Sequence, residues 1–274
     1  MESQLATAKQ PMPWKHERRG HGILQVRLKS VDRLVDCLVE HGLQVPRCVF
    51  RGQRKYTWPL ESSFDRGRTF SLPERRRGSL DTHLTRFQRA IAGRRGLNPV
   101  QYKDAGDWWA LGQHYGLQTP LTDWSRSPWI GLFFALEQVK DAKQGQPIDR
   151  AIYALHWHQL YALEKSDLVK GASTSEITEA IDFHQCFAED NPRLTSQSGL
   201  FSFSRSFNTI ERALQHVVRK QYDGPPLLVK VRVPDGQRVI GIRLLRSMNI
   251  NHVTLFPDVT GAGLHANALL DVRV

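Results

Sequence analysis

Val31, Leu34, Val35, Leu38 and Val39 recur at helical spacing within residues 28–42, and Gly42 is placed to end the helix they predict. The apolar run at the end of Val45–Phe50 reads as a short strand that leads into Arg51-Gly52-Gln53, with Pro46 confined to its start or to an edge. A loop rich in Gly, Pro and Arg follows to about Glu74. Helical periodicity returns with Leu80, Leu84, Phe87 and Ile91, and 107–113 reads as a short aromatic helix around Trp108, Trp109 and Leu111. Residues 116–123 are extended or turn-like, because Pro120 opposes a helix. Ser127-Pro128 then supplies an N-cap and first helical residue for an apolar helix to about Val139. Further along, 151–157, 200–203, 226–233 and 253–256 read as strands, and 209–219 and 241–248 as helices. Helices and strands alternate without the regularity of a doubly wound sheet, so the predicted class is α+β with a mixed sheet.

Polar residues dominate 164–191, and an insertion is expected around 160–195 of a single domain covering 28–274. Residues 1–27 are expected to be a basic, flexible N-terminal segment. They carry no apolar stretch of the signal-peptide kind, and no eighteen-residue apolar window occurs anywhere, so a cytoplasmic protein without a membrane span is expected. Three cysteines, Cys37, Cys48 and Cys186, form no paired spacing, so a reducing setting is expected, with Cys186 a buried structural thiol. The charge changes the picture more. The formal net charge is +11, and nine arginines fall within 66–95 against Glu74 and Asp81. Arg75, Arg76, Arg77, Arg94 and Arg95 are therefore candidates for contact with nucleic-acid phosphates, although a solvated helix face gives the same pattern.

Two constellations can carry chemistry. Phe50-Arg51-Gly52-Gln53 sets a forked donor at a strand end, with a glycine that allows close approach of a phosphate-bearing ligand. The run Gln113-His114-Tyr115-Gly116-Leu117-Gln118-Thr119-Pro120-Leu121-Thr122-Asp123-Trp124-Ser125 packs hydrogen-bonding groups against a buried helix. His114 is a candidate general base or clamp, and Asp123 a candidate orienting group or ribose ligand. The opposing reading is structural: Asp123 or Ser125 caps the following helix, and Trp124 and Trp129 fill core.

These two motifs resemble those of the FRG domain family, named for its Phe-Arg-Gly motif. Gln197-Ser198-Gly199-Leu200-Phe201 and Leu255-Phe256-Pro257-Asp258 are similar to later pieces of the same pattern, so the resemblance runs over about 45–260. Thr122 and Pro120 depart from it, the latter where the family pattern carries an arginine. More distantly, the arginine-bearing first strand and the Thr-Asp-x-Ser stretch resemble ADP-ribosyltransferases of the Arg–Ser–Glu type. That resemblance implies a split mixed sheet flanked by helices and NAD as substrate. It also implies Arg51, Gly52 and Gln53 near the pyrophosphate, and Tyr115, Thr119, Ser125 and Gln197 with His114 and Asp123 around the nicotinamide ribose. Asp258 is the implied catalytic acid, with Glu211 second; turn chemistry at Pro257-Asp258 is the alternative for the former. The resemblance further implies a phage-defence or toxin setting and a macromolecular acceptor, protein or nucleic acid.

Other features weigh less. Gly261-Ala262-Gly263 leaves no room for a βαβ unit. His156 and His158 on one side of a strand lack a third ligand, so no metal is expected. The expected activity is NAD-dependent ADP-ribosyl transfer or NAD glycohydrolysis. The alternative is a non-catalytic module that senses a nucleotide or binds nucleic acid through the basic 66–95 surface.

Overall fold

The structure, a computed structural model, describes residues 12–44, 46–96, 99–138, 148–162, 180–185, 196–218 and 222–271. Its centre is an eight-stranded mixed sheet in the order β1-β2-β8-β5-β3-β4-β7-β6. The strands are β1 (Trp14–Gly20), β2 (Ile23–Leu28), β3 (Val49–Gln53), β4 (Thr122–Ser125), β5 (Arg150–Leu155), β6 (Asp182–His184), β7 (Gly199–Phe203) and β8 (Leu228–Val233). β2 and β8 run parallel, and the other pairs are antiparallel. β5 is buried along its whole length, so its sequence RAIYAL shows no alternation.

Helices cover both faces. α1 (Leu34–Glu40), α4 (Pro128–Leu136) and α7 (Arg238–Ser247) pack on the face carrying Leu24, Val26, Phe50, Ile152 and Val231. α5 (Trp157–Ala162) and α6 (Ile210–Val217) pack on the opposite face with Val49, Trp124, Tyr153 and Leu228. α2 (Pro73–Ile91) and α3 (Ala105–His114) bury Leu80 and Trp109 against Leu121 and Phe201. α8 (His252–Leu255) and α9 (Val259–Asp271) complete the order. No described helix is long and apolar enough to cross a membrane.

Three expectations are corrected. The basic N-terminal segment is not free chain from residue 14 onward. β1 and β2 form a hairpin whose two turn residues, His21 and Gly22, both have positive φ. Leu24, Val26 and Leu28 anchor it by alternate burial, while charged β1 residues face solvent at the sheet edge. Residues 252–255 form a helix where a strand was expected, because Asn251 and Thr254 make a reciprocal capping box. His156 and His158 do not share a strand: β5 ends at Leu155, and His156 Nδ1 accepts from Gln159 N at 3.0 Å at the start of α5. Cys37 and Cys48 are buried, and burial pushes each thiol up to about 12. Cys186 and most of the expected insertion lie outside the described residues.

One irregularity positions the site. β3 pairs along its length with β5, and β4 along its length with β7, but β3 and β4 meet only at Phe50 and Ser125. The sheet therefore splits beyond that pair. α4 lies tight on β3 there: a Cβ at Gly52 would sit 2.0 Å from Gly131 O and 2.4 Å from Ala135 N. Gly52 is thus required for close helix–strand contact. Gly52→Ala is expected to cost about 3 kcal/mol, the upper end for overpacking against unyielding atoms. Chemical denaturation measures it, and an unchanged midpoint would contradict the packing argument.

Candidate functional site

A cleft of about 510 Å³ opens at the split, a size suited to a nucleotide-sized ligand. Arg51 and Gln53 of β3, with Arg54 just after it, line one wall, and Asp123, Trp124 and Ser125 line the other from β4. Gln113 and His114 come from the end of α3, Glu137 and Gln138 from the end of α4, and Phe256 from beyond α8. Trp58 and Arg66 come from the loop after β3.

Arg51 bridges the two walls. Its Nη1 donates to the Asp123 carbonyl at 2.7 Å and to Asp123 Oδ2 at 3.1 Å. Asp123 Oδ1 also accepts from Gln113 Nε2, and Gln113 Oε1 accepts from Thr119 Oγ1. Thr119 is itself fixed: its N donates to Ser63 Oγ at 3.0 Å, and its carbonyl accepts from Phe64 N at 3.0 Å. A hydrogen-bonded rail from the 60s loop through Thr119 and Gln113 thus sets the Asp123 carboxylate, whose side chain remains 55% exposed to the cleft. Among the described residues, two buried polar atoms here have no protein partner, Arg51 Nε and Gln53 Oε1. Such atoms are costly unless something else satisfies them.

Glu137 is the second acid of the cleft. Burial pushes its carboxyl up to about 7, while Arg54 pulls it down. His252 Nε2 lies 3.4 Å from Glu137 Oε2. Burial lowers the His252 pKa, as do His265 and Arg246, so this contact joins two groups that desolvation drives toward their neutral forms. The two carboxyl groups of the cleft therefore differ in setting, one open and hydrogen-bonded, the other shielded.

The expected site residues divide. Arg51, Gly52, Gln53, His114, Asp123, Ser125 and Gln197 line the cleft. Ser125 is already engaged, because Oγ donates to Gln197 O at 2.8 Å and accepts from Ser127 N at 3.0 Å. Gln197 Nε2 donates to Leu255 O at 3.2 Å and ties β7 to α8. Thr119 is fully buried behind the wall, and Tyr115 is 71% exposed at the end of α3; neither lines the cleft. Asp258 does not line it either: its Oδ1 accepts from Gly261 N at 3.0 Å and caps α9. Asp258→Ala is accordingly expected to cost about 1 kcal/mol of stability and to leave ligand binding intact, as thermal melts with and without ligand report. Glu211 lies elsewhere, accepting from Leu60 N at 3.2 Å beneath Tyr153.

The basic segment is also redistributed. Arg76 is 2% exposed and pairs with buried Asp65, so it is no phosphate contact. Arg77 donates to Ser206 Oγ at 2.6 Å, Arg94 to Ala90 O at 3.0 Å, and Arg95 stacks over Tyr102 and Trp108. Arg75 faces solvent.

Sequence reasoning passed over Gln113, Arg54, Arg66, Trp58 and Glu137 as site residues. Glu137 had a readable signal: it is the first charged residue after the apolar helix 128–136, which places a carboxylate in a dry setting. Arg66 and Trp58 sit in a loop whose path no periodicity gives.

No curated protein and no solved structure matches the chain. Residues 46–144 match the family model of the FRG domain, and over this segment, which supplies Arg51, Gln113, Asp123 and Glu137, the chain is similar to that family.

Proposed function

We propose that the cleft binds NAD and cleaves its nicotinamide–ribose bond, passing ADP-ribose to water or to a macromolecular acceptor. The observation that carries this reading is the pairing of Arg51, whose buried Nε has no protein partner among the described residues, with the Asp123 carboxylate across the sheet split. A forked guanidinium lining the cleft suits a pyrophosphate, and Arg54 and Arg66 add charge at the same mouth. Nicotinamide leaves with the electron pair of the C–N bond, so no acid is needed to protonate it. The cationic ribosyl group that results is stabilised by a fixed carboxylate, the role assigned to Asp123 in place of Asp258. Water or an acceptor hydroxyl then adds to C1′, and its proton passes to Glu137, whose pKa near neutrality suits a general base.

The test is nicotinamide release from NAD by the wild-type protein, with and without cell extract as acceptor source. Release that depends on Arg51 supports the reading. Binding of NAD without any release would establish a nucleotide-sensing module instead.

Glu137 gives a pH signature with a fixed sign. Its folded pKa, about 7, lies above the ordinary carboxylate value of 4.5, so the folded chain holds the proton more tightly. Stability is therefore favoured below the unfolded value and declines as pH rises toward about 7. Glu137→Gln is expected to raise Tm at about pH 8 and leave it unchanged at about pH 4. The rising limb of the rate profile near neutrality should disappear, with a loss of about a hundredfold. A Tm that falls at high pH would contradict the burial account.

A further inference from the structure

A second set of cations beside the cleft comes from residues far apart in sequence, outside 66–95. Beside the mouth, Trp58 is 37% exposed, with Arg54 Cζ 5.3 Å and Lys55 Nζ 5.5 Å from its ring centroid. Next to it Tyr56 is flanked by Lys230 at 4.5 Å and Arg232 at 5.0 Å. Arg27 continues the line, since it pairs in register with Arg232 across β2 and β8. Five cations thus alternate with two aromatic rings along one sheet face. The opposing carboxylates are Glu17 and Asp149, which contact Arg232, and Asp149 lies 3.9 Å from Arg27. Glu211 lies beneath, buried against Lys230 and Tyr153. Among the described residues Arg54 and Lys55 have no carboxylate within ion-pair distance.

We infer that this strip docks single-stranded nucleic acid, with a base stacked on Trp58 and phosphates along Lys55, Arg232 and Arg27. Cations interleaved with accessible aromatic rings suit unpaired bases, which offer a stacking face that a duplex hides. Among the described residues, the exposed arginines of α2, such as Arg75 and Arg86, have no such rings beside them. If the cleft reading also holds, the docked strand is the acceptor of ADP-ribose; binding itself does not require that.

The experiment is fluorescence anisotropy with labelled oligo-dT and oligo-U of about twelve nucleotides and a duplex of equal length. It is done in the Asp123→Asn background so that NAD chemistry plays no part. Expected are binding that weakens with salt, a preference for single strands, and about a tenfold loss in Trp58→Ala. Lys55→Glu with Arg27→Glu should cost more than tenfold, and Arg75→Glu with Arg86→Glu less than about twofold. Loss confined to the α2 variant, equal binding of duplex, or no binding at about 50 mM salt would each overturn the inference.

Discussion

Asp123→Asn is expected to abolish nicotinamide release, lowering turnover by about a thousandfold, or about 4 kcal/mol of transition-state stabilisation, while NAD binding changes little. The substitution is nearly isosteric and leaves the backbone carbonyl that Arg51 Nη1 holds at 2.7 Å. What disappears is the negative charge facing the developing ribosyl cation. Gln113 sharpens the test. Its amide donates to Asp123 and accepts from Thr119, so Gln113→Ala leaves the carboxylate present but no longer fixed. An intermediate loss of turnover is expected there, with the fold unchanged. Turnover that survives Asp123→Asn undiminished would remove Asp123 from the chemistry and return attention to Glu137.

Arg76→Ala is expected to destabilise the fold by about 3–5 kcal/mol. Arg76 Nε and Nη2 grip both oxygens of Asp65 at 2.7 Å, and Nη1 reaches Ser204 O at 2.7 Å and Arg205 O at 2.9 Å. Both side chains are almost fully enclosed, so truncation strands a buried carboxylate together with two carbonyls. Replacing both partners, Asp65→Leu with Arg76→Leu, should cost clearly less than the single change, because the buried charge disappears with its partner. Urea denaturation of the three variants decides it. A single-variant cost below about 1 kcal/mol would show the pair to be solvated. The pair also ties the loop before α2 to the end of β7, so its loss should loosen the cleft wall that carries Arg66.

Most of the element order was legible because apolar periodicity survives wherever one face is buried, as in α1, α2, α6 and β8, while α4, apolar on nearly every side, was marked by its Ser127-Pro128 start. The failures have local causes. The β1–β2 hairpin turns on His21-Gly22, a weaker signal than Asn-Gly, and β1 is an exposed charged edge without alternation. The apolar residues of 252–256 suit a strand as well as a helix, and only the Asn251 cap distinguishes them. Arg51 and Asp123 could be read as site residues because each sits in a dense polar motif beside apolar sequence. Whether they meet depends on β3 and β4 being neighbours, a long-range pairing that no local pattern encodes. The same limit hid Arg76: an arginine in an Arg-Arg-Arg run looks solvated until the fold brings Asp65 against it.

The central claim is that Arg51, held across the split by Asp123, is the pyrophosphate anchor of a nucleotide site. It is tested most directly by calorimetric titration of ADP-ribose, which needs no turnover, into wild-type protein and into Arg51→Ala. Micromolar binding that weakens by about a hundredfold in the variant, or roughly 3 kcal/mol, is the predicted result. Equal affinity for the two proteins, or no binding to the wild type, would contradict it.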